Sequence, residues 1–221
     1  MKMNNLKLTA VIGLIVALVA IAAPAAGAQD ARLTLIRDDV TRDAVRQQLG
    51  NVLSLGARFT EPLMSKALEG VAKKASTKSI RKAMDALEGR LRKANELLAP
   101  SPTVDELAAG ADALAVQVPG KTLKQMRAIA PNRSIAMELG VLTQLMAKGV
   151  PAKLASKTVL DLMARQATGT QLTALSNAVQ SDVEAGLAPD VALDLRGRGI
   201  MSLLPPPTNV QLLNPRPSGR P

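Results

Sequence analysis

The sequence predicts an all-α protein in which antiparallel helical pairs stack into a small solenoid or irregular bundle. Three observations carry this. Apolar residues recur at helical spacing over most of the chain. Gly followed closely by Pro punctuates those stripes. The core must be built from Leu, Ala, Val, Ile and Met, because the 221 residues include no Trp, no Tyr and a single Phe, Phe59. β-rich folds rely on aromatic and β-branched side chains, so this composition favours helices.

The clearest stretch runs from Gly149 to Pro189. Ala155, Val159, Leu162 and Met163 fall on one helical face, and Leu172, Leu175, Val179 and Val183 fall on another. Pro151 suits a helix start, where a missing N–H is harmless. Gly149 and Gly186 suit helix ends, since Gly enters the left-handed region without penalty. Thr168 or Thr170 can cap the second helix. Neither stripe can be buried alone, so the two segments are expected to pair as a hairpin.

From the start of the chain, Lys2 and Lys7 precede an apolar run over Leu8–Ala23, and Ala26-Gly27-Ala28 has small-x-small character. That is a bacterial secretory signal peptide over 1–28, cut near Ala28. The alternative is an uncleaved inner-membrane anchor, for which the run is short against the roughly 20 residues a span needs. The mature protein is then periplasmic or secreted. Residues 29–37 read as a flexible arm, 38–204 as one α-helical domain, and 205–221 as a Pro-rich disordered tail.

Within the domain, a helix is expected over 38–55, with Val45, Leu49, Val52 and Leu53 inward and Gly56 at its end. Pro62 opens the next, striped by Met64, Leu68, Val71 and Ala75. A Ser76-Thr77 turn precedes the longest stripe, Ile80, Met84, Leu87, Leu91, Ala94 and Leu98. After the break at Ala99–Pro102, Thr103 with Glu106 fits a capping box. Leu107, Ala111, Leu114 and Val118 continue the pattern. Pro119 opens a short helix with Leu123 and Met126, Pro131-Asn132 turns the chain, and Ile135, Leu139, Leu142 and Met146 lead to Gly149. A last helix covers Asp190–Arg198. Pro119, Pro151 and Pro189 follow one another at intervals of about 32 and 38 residues, a helix-pair period. In these joints the chain resembles helical-repeat architectures, and more broadly the uncharacterised exported bacterial proteins of this Ala/Leu-rich helical kind. The resemblance implies a geometry and no particular activity.

Several function classes are excluded by residue type. Without His or Cys there is no imidazole base, no thiol nucleophile and no ordinary zinc or copper site. Almost no aromatic platform exists for sugars or single-stranded bases. The formal charge of +10 points toward anionic partners. The densest basic run is Lys73, Lys74, Lys78, Arg81 and Lys82, which suits lipid or lipopolysaccharide phosphates. Further on, Arg81–Asp85, Glu88–Arg92 and Lys93–Glu96 have ion-pair spacing on a helix.

Three motifs are weaker. Ala115–Thr122 fits a relaxed phosphate loop, but its preceding residues read as helix and Pro119 removes an N–H from the cradle. Ser79-Ile80-Arg81-Lys82 fits the S-x-x-K element of serine acyltransferases, without the companion elements. Asp38/Asp39/Asp43 and Asp190/Asp194 match no calcium loop. The expectation is an exported, non-enzymatic binding or scaffolding protein of the cell envelope, with no cofactor, metal, nucleotide or nucleic acid. Its partner is a protein on a helical surface or an anionic envelope component. A hydrolase or transferase is the remaining alternative.

Overall fold

The computed structural model describes residues 31–206, all helix, turn and loop with no strand among them. The helices are α1 (Asp39–Leu53), α2 (Thr60–Ala72), α3 (Thr77–Leu97), α4 (Val104–Ala115), α5 (Gly120–Ile129), α6 (Ala136–Ala147), α7 (Ala152–Ala164), α8 (Gly169–Glu184) and α9 (Pro189–Met201), with a 3₁₀ turn at Ala57–Phe59 before α2. The fold class is therefore as the sequence predicts. No described helix is long and apolar enough to cross a membrane. The leader expected over 1–28 and most of the tail expected over 205–221 lie outside the described residues.

The helices that pack closely are neighbours in chain order or next but one. That rule produces two layers. One holds α2, α4, α6 and α8, and the other holds α1, α3, α5, α7 and α9. Side-chain bonds tie successive members of a layer at about one repeat. Thr41 and Thr77 share a hydroxyl hydrogen bond of 2.6 Å between α1 and α3. The Thr122 hydroxyl donates to Ser156 Oγ at 3.2 Å between α5 and α7. The Ser176 hydroxyl donates to Gln144 Oε1 at 2.6 Å between α6 and α8. The first two bonds join residues near the helix starts, and the third joins the middles of α6 and α8.

Five of the joints have one design. Residues 73–76, 116–119, 148–151, 165–168 and 185–188 each contain a C-cap, a left-handed residue, an apolar residue and an extended N-cap. The left-handed residues are Lys74, Gln117, Gly149, Gln166 and Gly186, with φ of 54, 66, 89, 58 and 99°. The N–H of the apolar residue then reaches back to close the Schellman pattern, as in Val150 to the Leu145 carbonyl at 3.1 Å. Pro119 and Pro151 are the N-caps themselves, one position earlier than a first-turn proline. Thr168 is the cap of α8, in a capping box with Gln171.

The core is one continuous cluster along the seam between the layers, and it includes every member of the long α3 stripe. Four local readings change. Leu53 faces solvent at 52% exposure, and Thr41 and Gln48 take inward positions on α1. Residues 31–37, expected as a flexible arm, pack from residue 31: Leu33 and Ile36 are buried, and Arg32 holds Glu61 at 2.6 Å. Gly56, at φ 115° and ψ 144°, leads into the 3₁₀ turn and is built unlike the others. Finally, α7 and α8 do not pair closely with each other. α7 packs on α6, and α8 packs on α9, so the repeat frame is shifted by one helix. The cause is that each stripe finds its apolar partner across the layers, while the joint at 165–168 only passes the chain to the next pair.

Candidate functional site

The predicted basic residues gather at the joint between α2 and α3. Lys73 ends α2, Lys74 is the left-handed residue, and Lys78, Arg81 and Lys82 project from the first turns of α3, all exposed. Lys78 to Arg81 and Lys82 are three- and four-residue steps, so these three share a face. Lys73 is not free: with Lys66 it holds Glu69, whose carboxyl is drawn down to about 2, first by the Lys66 ammonium and then by that of Lys73. Arg81 is left without its expected partner, because Asp85 accepts from Gln48 of α1 at 2.5 Å. Glu88–Arg92 and Lys93–Glu96 form as spaced. Lys74, Lys78, Arg81 and Lys82 thus have no ion pair among the described residues.

A groove of about 480 Å³ borders this cluster, lined by Leu35, Ile36, Arg37 and Asp38 on one side and Val71, Lys74 and Ile80 on the other. Leu35, which lines the groove, is 62% exposed, and Val40 in the first turn of α1 is 70% exposed. Asp38 caps α1 through the Thr41 N–H, and its carboxyl is held below the ordinary value, chiefly by hydrogen bonds from Thr41. Asp39 pairs with Arg42. Arg37 has no partner among the described residues and extends the cluster across the groove. Sequence spacing gives no hint of it, because Arg37 lies far from Lys74 along the chain.

A larger groove of about 630 Å³ runs between α5 and α7, bounded by Pro119, Lys121, Gln125, Lys153, Lys157 and Asp161 with Leu160 at its floor. Thr122 and Ser156 line it and are 5% and 8% exposed. Lys157 holds Asp161 at 2.7 Å.

At the opposite ends of these helices lies a buried charge network. Glu106 is 2% exposed, and its carboxylate accepts the Thr103 N–H, the Ile135 N–H at 2.9 Å and Arg127 Nη2. Burial opposes its ionisation, but the two N–H groups and the guanidinium prevail and hold the carboxyl below the ordinary value. Arg127 also donates to the Ala130 and Arg133 carbonyls, and Arg133 pairs with Glu138. Two donors reach Oε1 and one reaches Oε2, which makes Glu106 a fastening of the fold.

The weaker motifs resolve structurally. Ser79 Oγ shares a hydrogen bond of 2.9 Å with Ser76, the N-cap of α3, and does not meet Lys82. Pro119–Thr122 starts α5 after a helix, not a strand. Asp43 and Asp194 pair with Arg46 and Arg198. No group of three or more carboxylates that could hold a metal ion occurs among the described residues. Comparison with protein-family profiles, curated proteins and solved structures finds no match.

Proposed function

We propose that the protein is an exported, non-enzymatic binding or scaffolding protein of the bacterial cell envelope that docks on anionic surfaces. The observation that carries this reading is the patch at the α2–α3 joint, where Arg37, Lys74, Lys78, Arg81 and Lys82 lie unpaired among the described residues. Exposed Leu35 lines the adjoining groove with Arg37 and Lys74. Cations beside solvent-facing apolar side chains match what a lipid interface offers, namely headgroup phosphates over the edge of the acyl region. The Lys- and apolar-rich start of the sequence supports export.

Co-sedimentation with vesicles tests the reading. The mature protein is expected to bind phosphatidylglycerol vesicles at low salt, to release them as salt screens the contact, and to ignore phosphatidylcholine vesicles. K74E, K78E and R81E together abolish binding and leave the helical circular dichroism unchanged. Absence of binding to phosphatidylglycerol at low salt overturns the proposal. Sequencing the N-terminus of protein recovered from the envelope tests export, since an intact Met1 contradicts cleavage.

A further inference from the structure

We infer that two copies of the chain associate through α9, antiparallel about a two-fold axis at Leu195. The first observation is an apolar seam on the last helix of the stack. α9 packs on α8 and α7 and buries Ala192, Leu193 and Gly197. Its opposite face holds Ala188, Val191, Leu195 and Ser202 at steps of three, four and seven, with Arg198 and Gly199 between the last two, all exposed. Val191 and Leu195, at the centre, are 53% and 56% exposed. Single exposed apolar residues are ordinary, but two at the centre of a seam of this period make a packing face without a partner. Helix α1, at the other end of the stack, turns Asp43, Arg46, Gln47, Gly50 and Asn51 outward. Stacked helical pairs need a polar face at their ends; α1 has one and α9 does not. One open end closes into a dimer rather than a filament.

The second observation is the order of charge beside the seam. Helical spacing puts Asp190 and Asp194 on one flank before Leu195, and Arg198 on the same flank after it. In an antiparallel copy, Arg198 falls between Asp190 and Asp194 of the first, and the contact repeats across the axis. A parallel copy would set like charges against each other. Arg198 holds Asp194 of its own chain, and Asp190 has no ion pair among the described residues, so an acceptor stands open for the arginine of the second copy. On the other flank, Arg196 is matched by Asp182 of α8 at 2.6 Å. The face is thus balanced, on a chain whose formal charge of +10 makes copies repel elsewhere.

The third observation is shape. A Cβ at Gly199 would meet nothing within 4 Å, so the surface there is open. With the axis at Leu195, Leu195 meets its own copy, and Val191 lies opposite Gly199 and the aliphatic stem of Arg198. Large then faces small on both sides of the axis, as an isologous contact requires. Steps of three and four along the seam suit a shallow crossing of about 20°, which keeps the flanking charges within reach of each other.

The test is sedimentation velocity of the mature chain over a concentration series. One helix pair buries less than a standard interface of about 1,600 Å², so a reversible dimer is expected. L195E sets two carboxylates together at the axis and is expected to weaken the dimer at least tenfold. Its helical circular dichroism should be unchanged, because Leu195 is exposed. The chain has no cysteine, so introduced cysteines report the register. Mild oxidation is expected to link L195C to itself, and V191C to G199C in a mixture far more than V191C to itself. K74E/K78E/R81E is expected to dimerise as the parent does, which separates this contact from the α2–α3 patch. A monomer at every concentration overturns the proposal. If L195E also lowers the melting temperature of that monomer, segment 207–221 of the same chain is the occupant instead. A dimer that survives L195E, or V40C linking to itself as readily as L195C, overturns it too, because the copies then meet elsewhere or at random.

Discussion

The Glu106 carboxylate accepts the Ile135 N–H at 2.9 Å, which fixes the first turn of α4 against the N-cap of α6. The same oxygen takes Arg127 from the last turn of α5, so one side chain joins three helices. Removing it leaves a guanidinium at 13% exposure without its counter-charge. E106A is therefore expected to lose about 3 kcal/mol, within the range for breaking a buried pair. R127A should lose a similar amount, and the double variant less than the sum. Urea unfolding measures all three.

That pair also sets a pH dependence. The folded-state carboxyl of Glu106 lies below its ordinary value. Its contribution is therefore complete above the ordinary carboxylate range and is lost as the pH falls through the folded-state value. E106Q should be less stable than the parent at neutral pH, and the gap should narrow steadily on acidification. Unfolding free energies measured from neutral pH downward give the two curves. A gap of constant width would show that the charge of Glu106 does not contribute.

Gly110 of α4 packs against α3 without room for a side chain. A Cβ there would lie 2.9 Å from Leu98 Cδ1 and 3.0 Å from Ala94 Cβ. Leu98 can turn away, but the Ala94 methyl is fixed to the α3 backbone. G110A should destabilise by roughly 1–3 kcal/mol through overpacking. Gly89 is the control, in the middle of α3 with open space where its Cβ would be. G89A should stabilise by about 0.5–1 kcal/mol from helix propensity alone. Thermal melts of the two variants should move in opposite directions.

How much of this was legible follows the range of each interaction. The α3 stripe and the Thr103–Glu106 box are local patterns, and both appear as spaced. The second role of Glu106 has no local signature, since its partners lie 21 and 29 residues away and Arg127 resembles any cation on an amphipathic helix. The pairing frame differs from the expected hairpin for a related reason: the stripes of α7 and α8 say that each needs a partner but not which one. At the basic patch, the Lys73–Glu69 pair was within reach of four-residue spacing, whereas Arg37 arrives by packing of the segment before α1. The α5–α7 groove depends on two helices starting together, which only their stacking determines.

The joints show the same limit and allow a direct test. Gly149 and Gly186 announce a left-handed turn, but Lys74, Gln117 and Gln166 adopt it too, with φ between 54 and 66°. Left-handed backbone costs a residue with a Cβ roughly 1–2 kcal/mol, and the stacking at these three joints outweighs that strain. Glycine would relieve it while giving back up to about 1 kcal/mol through a freer unfolded chain. Q117G and Q166G should therefore each stabilise by about 0.5 kcal/mol. G186A isolates the reverse change, because a Cβ there meets nothing within 4 Å and only the backbone at φ 99° is strained. It should destabilise by about 1–2 kcal/mol. Urea midpoints at constant slope measure the series. A loss of stability in Q117G or Q166G would mean that the side chain, not the backbone, holds that joint, and the five joints would no longer share one cause.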